Sequence, residues 1–130
     1  MIILDTHIWV WFVGESSELD PKTREFINRN QSEGIGVSSI SCWGVAMLSA
    51  RGRLKLREPV LDWIETALAF PNTVLLPLSP RIAVESTTLP GEFHKDPADR
   101  IIVATSRIYD SPIVTYDSKM IDYPHVANHL

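Results

Sequence analysis

Four short apolar runs punctuate the chain: Ile2-Ile3-Leu4, Ile35-Gly36-Val37, Val74-Leu75-Leu76 and Ile113-Val114-Thr115. None alternates cleanly with polar residues, which is the pattern of strands covered on both faces and favours a buried parallel sheet. Between the runs lie segments with helix-start chemistry. Asp20-Pro21, Ser79-Pro80 and Asp96-Pro97 each place a side-chain acceptor at an N-cap and proline at the first helical residue, with Glu58-Pro59 a weaker fourth instance. From Pro59 to Phe70, the residues Val60, Trp63, Ile64, Ala67 and Leu68 recur at helical spacing, and Pro71-Asn72 stops the helix. Strands separated by helices predict an α/β fold class: one three-layer domain over residues 1–130, with helices on both faces of a short, mainly parallel sheet. Gly14 to Asp20 and Leu89 to Lys95 read as exposed loops.

Charge narrows the choice of partner. Sixteen Asp and Glu against twelve Lys and Arg leave a net charge of −4, the wrong sign for holding nucleic acid by bulk electrostatics. Any phosphate partner needs local help. Arg51-Gly52-Arg53, followed by Lys55 and Arg57, is the densest basic stretch and reads as a solvated surface that could also touch phosphates. The single cysteine, Cys42, excludes an internal disulfide framework and a Cys-rich zinc site, and points to the cytoplasm. The first residues lack a basic leader, and the apolar run Ile8 to Val13 is far below the roughly 20 residues that span a bilayer, so no membrane partner is expected. That same run is apolar around nearly a whole helical turn. It either offers one face to a partner or is buried on both sides within the domain.

The aspartates fall where parallel α/β sheets bind ligands. Asp5 directly follows the first strand and Asp117 follows the last, and the carboxyl ends of such strands form the ligand crevice. Asp96-Pro97-Ala98-Asp99-Arg100 opens the helix that leads into the last strand, with Asp99 about one turn beyond Asp96. Three or four carboxylates are therefore expected to meet. Clustered acids raise one another's pKa unless a cation holds them ionised, and an all-oxygen set suits Mg²⁺ or Mn²⁺ better than zinc. Such an ion can polarise a phosphate oxygen, activate a water and steady a leaving oxygen, so the predicted chemistry is phosphodiester hydrolysis. Each acid also has a structural reading: Asp96 as an N-cap, Asp99 as a first-turn charge, Asp5 and Asp117 as caps of the turns after their strands.

At these residues the chain resembles the PIN-domain ribonucleases, and most closely the VapC-type toxins of bacterial toxin–antitoxin pairs. The resemblance rests on Leu4-Asp5-Thr6-His7, Val37-Ser38 through Arg53, His94 to Thr105 and Val114-Thr115-Tyr116-Asp117, in that order over nearly the whole chain. It implies an α/β/α sandwich that cleaves RNA with Mg²⁺ or Mn²⁺, is restrained by a cognate antitoxin and forms a homodimer. Carried over, it makes Asp5, Asp99 and Asp117 the catalytic metal carboxylates, Asp96 an outer helper, and Thr6 and Thr115 hydroxyls beside the acids.

One position departs from the family. Its members carry a glutamate where this chain has Gly44, inside a helix that Ser38 or Ser39 can cap and Gly52 can end. A mid-helix glycine costs about 1 kcal/mol relative to Ala, so Gly44 either serves tight backbone packing or marks a lost acid. The expectation is an impaired endoribonuclease, with a catalytically silent antitoxin- or RNA-binding module as the alternative. A phosphatase using Asp5 as nucleophile fits less well, because Asp5-Thr6-His7 lacks a second acid two residues on. His7, His94, His125 and His129 lack close metal-ligand spacing, and His94 reads as a capping or surface residue. Arg100 reads as an internal ion-pair partner, with phosphate contact as the alternative.

Overall fold

A computed structural model describes residues 1–129. Its elements run β1 (Ile2–Leu4), α1 (Thr6–Val13), α2 (Pro21–Asn30), a short 3-10 turn, β2 (Ile35–Ser38), α3 (Ser39–Ala50), α4 (Val60–Leu68), β3 (Thr73–Leu76), α5 (Pro80–Thr87), α6 (Pro97–Tyr109), β4 (Ile113–Val114) and α7 (Ser118–Ile121). The four strands form one parallel sheet in the order β3-β2-β1-β4. Alternation along the strands divides the core into two layers. Ile2, Leu4, Ile35, Val37 and Val114 join Ile8 and Trp9 of α1, Ile27 of α2 and Trp63 of α4 on one face. Ile3 and Ile113 point the other way, to Ile82 of α5, Ile102 and Val103 of α6 and Met120 of α7. This is the expected three-layer α/β arrangement.

The capping chemistry acts as expected at three helices. Asp20, Ser79 and Asp96 accept from the backbone N–H of Thr23, Ile82 and Asp99. At α3, Ser38 is the cap, and Gly52 follows the helix end with φ +70°, a backbone that glycine adopts without strain. At α4 the register differs: Pro59 itself occupies the N-cap position, without a side-chain cap, so Glu58 plays no capping part.

Three further expectations need correction. The third run is not covered on both faces: β3 is a sheet edge, and Val74 and Leu75 are 43% and 46% exposed. The last strand ends at Val114 rather than Thr115, and residues 127–129 run beside it through Ile113 N–H to Ala127 O and His129 N–H to Ile113 O. The segment from Leu89 to Lys95 is not simply exposed, because Leu89 is buried and Phe93 and His94 are half-buried. The Ile8–Val13 circumference resolves largely in favour of two-sided burial: Ile8 and Trp9 lie in the core and Val10, Trp11, Phe12 and Val13 pack against it. Among the described residues, no helix is long and apolar enough to cross a membrane.

Trp9 is 1% exposed and meets Trp63 edge-on at a centroid separation of 5.2 Å, whereas Trp43 is 55% exposed. Trp9→Ala is expected to destabilise the fold by about 3–5 kcal/mol, and Trp43→Ala by no more than about 0.5 kcal/mol. Urea-unfolding midpoints measure both. Equal losses would contradict this packing.

Candidate active site

The chain moves from β1 to β2 to β3 on one side of the sheet and returns to β4 on the other, so the topological switch lies between β1 and β4. Ligand crevices form at such points, outside the strand carboxyl ends. Asp5 leaves β1 there, Thr115 to Asp117 leave β4, and the N-terminus of α6 brings Asp96 and Asp99. All four acids line one cleft of about 1000 Å³. Ile40, Trp43 and Met47 of α3 supply an apolar wall, and the exposed Arg51 stands among its lining residues.

Asp5 is the most enclosed of the four. Its Oδ1 accepts from Ile8 N–H at 2.9 Å, capping α1, and its Oδ2 accepts from Thr115 Oγ1 at 2.5 Å. Burial raises its pKa; the hydrogen bonds from Thr115 and Ile8 oppose that rise, and Asp117 adds to it. Thr115 is itself buried, and its Oγ1 accepts from Asp117 N–H at 3.0 Å, so one hydroxyl ties the ends of β1 and β4 together. Asp117 caps α7 through its Oδ1, which accepts from Lys119 N–H at 2.9 Å. Asp96 is exposed and caps α6.

Asp99 is perturbed in the same direction as Asp5. Burial, followed by the charge of Asp96, pushes its pKa up to about 6; His94 opposes the rise, while Asp117 and Asp5 add to it. The acids therefore act on one another electrostatically. One donor atom each from His94, Asp99 and Asp117 lie within 4.8 Å of one another, a spacing and chemistry that fit a divalent cation. His94 was not legible as part of this group. It is brought there by Arg100, whose guanidinium donates to the backbone carbonyls of Ser86 (2.8 Å), Phe93 (3.0 Å) and His94 (3.3 Å). Arg100 is thus a strap for the preceding loop, rather than the internal ion-pair partner expected of it. The sequence signal was available in a weak form: an arginine in the first turn of α6 facing back along its own approach loop.

Gly44 is buried on the helix that walls the cleft. A Cβ there would stand 3.2 Å from Thr6 Cγ2 and 3.5 Å from its Oγ1. Close packing is therefore real at this position, and a larger residue requires Thr6 to yield by a few tenths of an ångström. The Thr6 hydroxyl is directed to Ser41 Oγ at 3.0 Å, across the same contact between α1 and α3. Thr115, by contrast, does bond a carboxylate.

Known proteins resemble the chain along nearly its whole length. The PIN-domain family pattern matches residues 2–126. Ribonuclease VapC22 of Mycobacterium tuberculosis is 30% identical over 124 residues, covering 95% of this chain and 92% of the relative. Among solved structures, DNA-bound VapBC from Salmonella typhimurium superposes with a TM-score of 0.73 at 18% identity, over 99% of this chain and 98% of the other. A toxin–antitoxin complex from Klebsiella pneumoniae superposes with a TM-score of 0.65 at 19% identity, over 98% and 97%.

The raised pKa of Asp99 has a thermodynamic consequence. The folded chain holds this proton more tightly than the unfolded chain, so its contribution to stability is present below the ordinary value of 3.8 and is lost as pH rises to about 6. In chelator, a carbon-13 carboxyl titration is expected to place the Asp99 midpoint near 6. Urea unfolding should show Asp99→Asn gaining stability relative to the parent chain across that window. A midpoint near 3.8 would contradict the electrostatic picture.

Proposed function

The chain belongs to the PIN-domain family and is VapC-like; from that premise we propose that it is the toxin of a type II toxin–antitoxin pair, a divalent-cation-dependent endoribonuclease impaired at position 44. The observation that carries this reading is the gathering of Asp5, Asp96, Asp99 and Asp117 in one cleft at the sheet's switch point. Asp5, Asp99 and Asp117 would hold the cation, Mg²⁺ or Mn²⁺. When bound, that cation supplies charge neutralisation and water activation for phosphodiester hydrolysis.

The chain's own groups prepare the site. Thr115 and the Ile8 amide fix the Asp5 carboxylate, and Asp96 tightens the first turn that presents Asp99. Thr6 lines the cleft but keeps its hydroxyl on Ser41, so it orders the α1–α3 contact. A loaded cation also answers the net charge of −4, since an acidic pocket holding a metal receives an anion that the surface as a whole repels. The cognate antitoxin is the proposed protein partner, by likeness to the Klebsiella toxin–antitoxin complex. Trp11 lines the cleft and offers that partner an apolar contact, whereas the buried Trp9 does not. A homodimer and a cytoplasmic setting complete the proposal.

The close contact of Gly44 with Thr6 favours a second reading, a silent module that binds antitoxin or RNA without cutting. Gly44→Glu separates the two. With Mg²⁺ or Mn²⁺, the reverted chain is expected to cut RNA about 100-fold faster than the parent, and chelator or Asp5→Asn should abolish the gain. A folded Gly44→Glu chain that cuts none of a panel of transfer, ribosomal and messenger RNAs would favour the silent module.

A further inference from the structure

We propose that His94 Nε2 is a direct ligand of the cation, so that this chain uses a mixed nitrogen and oxygen donor set, selective for Mn²⁺ over Mg²⁺, in a cleft that lacks an acid at position 44. The inference rests on the metal-dependent reading above and adds to it a residue outside the acidic set.

Geometry is the first support. His94 Nε2 lies 3.0 Å from Asp99 Oδ2, and both belong with Asp117 to a group of donor atoms within 4.8 Å of one another. Neighbouring donors around a cation with bonds of about 2.1 Å stand about 3 Å apart. The second support is the state of the nitrogen itself. Nε2 is shielded from solvent and, among the described residues, makes no hydrogen bond, despite its closeness to Asp99. A buried imidazole nitrogen and a carboxylate oxygen that approach without hydrogen-bond alignment are satisfied together by a cation between them.

The surroundings hold the ring ready. Phe93 packs on His94 with ring centroids 4.5 Å apart, and Arg100 grips the carbonyls of both residues. Little rotamer freedom is left to lose on binding. Asp5 is held in place by Ile8 N–H on its Oδ1 and by Thr115 on its Oδ2, and each oxygen keeps a lone pair for the cation. Replacing an oxygen donor by imidazole softens the set and shifts preference from Mg²⁺ toward transition ions such as Mn²⁺.

The test loads the full metal-free chain with Mn²⁺ alone, using protein labelled with nitrogen-15 only in histidine, and reads electron–nuclear couplings of the bound ion. A directly bound histidine nitrogen is expected in the parent chain and not in His94→Gln, which should also bind Mn²⁺ about tenfold more weakly. Mg²⁺ should compete poorly in the parent and better in the variant. Circular dichroism establishes that His94→Gln is folded, and should it fail to fold, His94→Asn takes its place. Mn²⁺ binding without histidine coupling, or with coupling that survives either variant, overturns the assignment while leaving the metal site intact. Failure of the parent chain to bind Mn²⁺ overturns both.

Discussion

The parallel pairing of β1 with β4 is the constraint on which the site depends. Ile3 and Leu4 lie beside Ile113 and Val114, so the residues that follow the two strands must leave the sheet at the same end. Thr115 converts that adjacency into a fixed geometry by donating to Asp5 and accepting from Asp117 N–H. Over a hundred residues of chain separate these groups, and one buried hydroxyl holds them in register. The cost is a carboxylate taken out of water, visible in the raised pKa of Asp5.

Much of the scaffold was legible because its determinants are local. Uninterrupted apolar triplets mark Ile2–Leu4 and Ile35–Val37 as strands, and Asp or Ser before proline marks the starts of α2, α5 and α6. Asp5 and Asp117 could be placed from their positions just after apolar runs, and Asp96 and Asp99 from the Asp-Pro helix start. What escaped depends on tertiary neighbours. Val74 and Leu75 read like core residues, and only the strand order makes β3 an edge. His94 carries no spacing signature; its position follows from Arg100 reaching back to the loop carbonyls, a long-side-chain contact that periodicity does not encode. Likewise, the short pairing of residues 127–129 with Ile113 has no hydrophobic pattern behind it.

Gly44 shows how a single position can serve packing and chemistry in opposition. Its missing side chain admits the Thr6 methyl, and the α1–α3 contact is closed further by the hydroxyl pair of Thr6 and Ser41. The same glycine presents no side-chain donor to the cleft wall it lines. Burial, with the charges of Asp96, Asp117 and Asp5 adding to it, pushes Asp99 up to about 6, so the cleft favours a cation with glycine at position 44.

Diffraction at the manganese absorption edge, from a crystal of the metal-free chain soaked in Mn²⁺, tests the central claim most directly. The account predicts an anomalous peak in the cleft in contact with Asp5, Asp99 and Asp117. Carboxylates turned apart, with no peak between them, would contradict it.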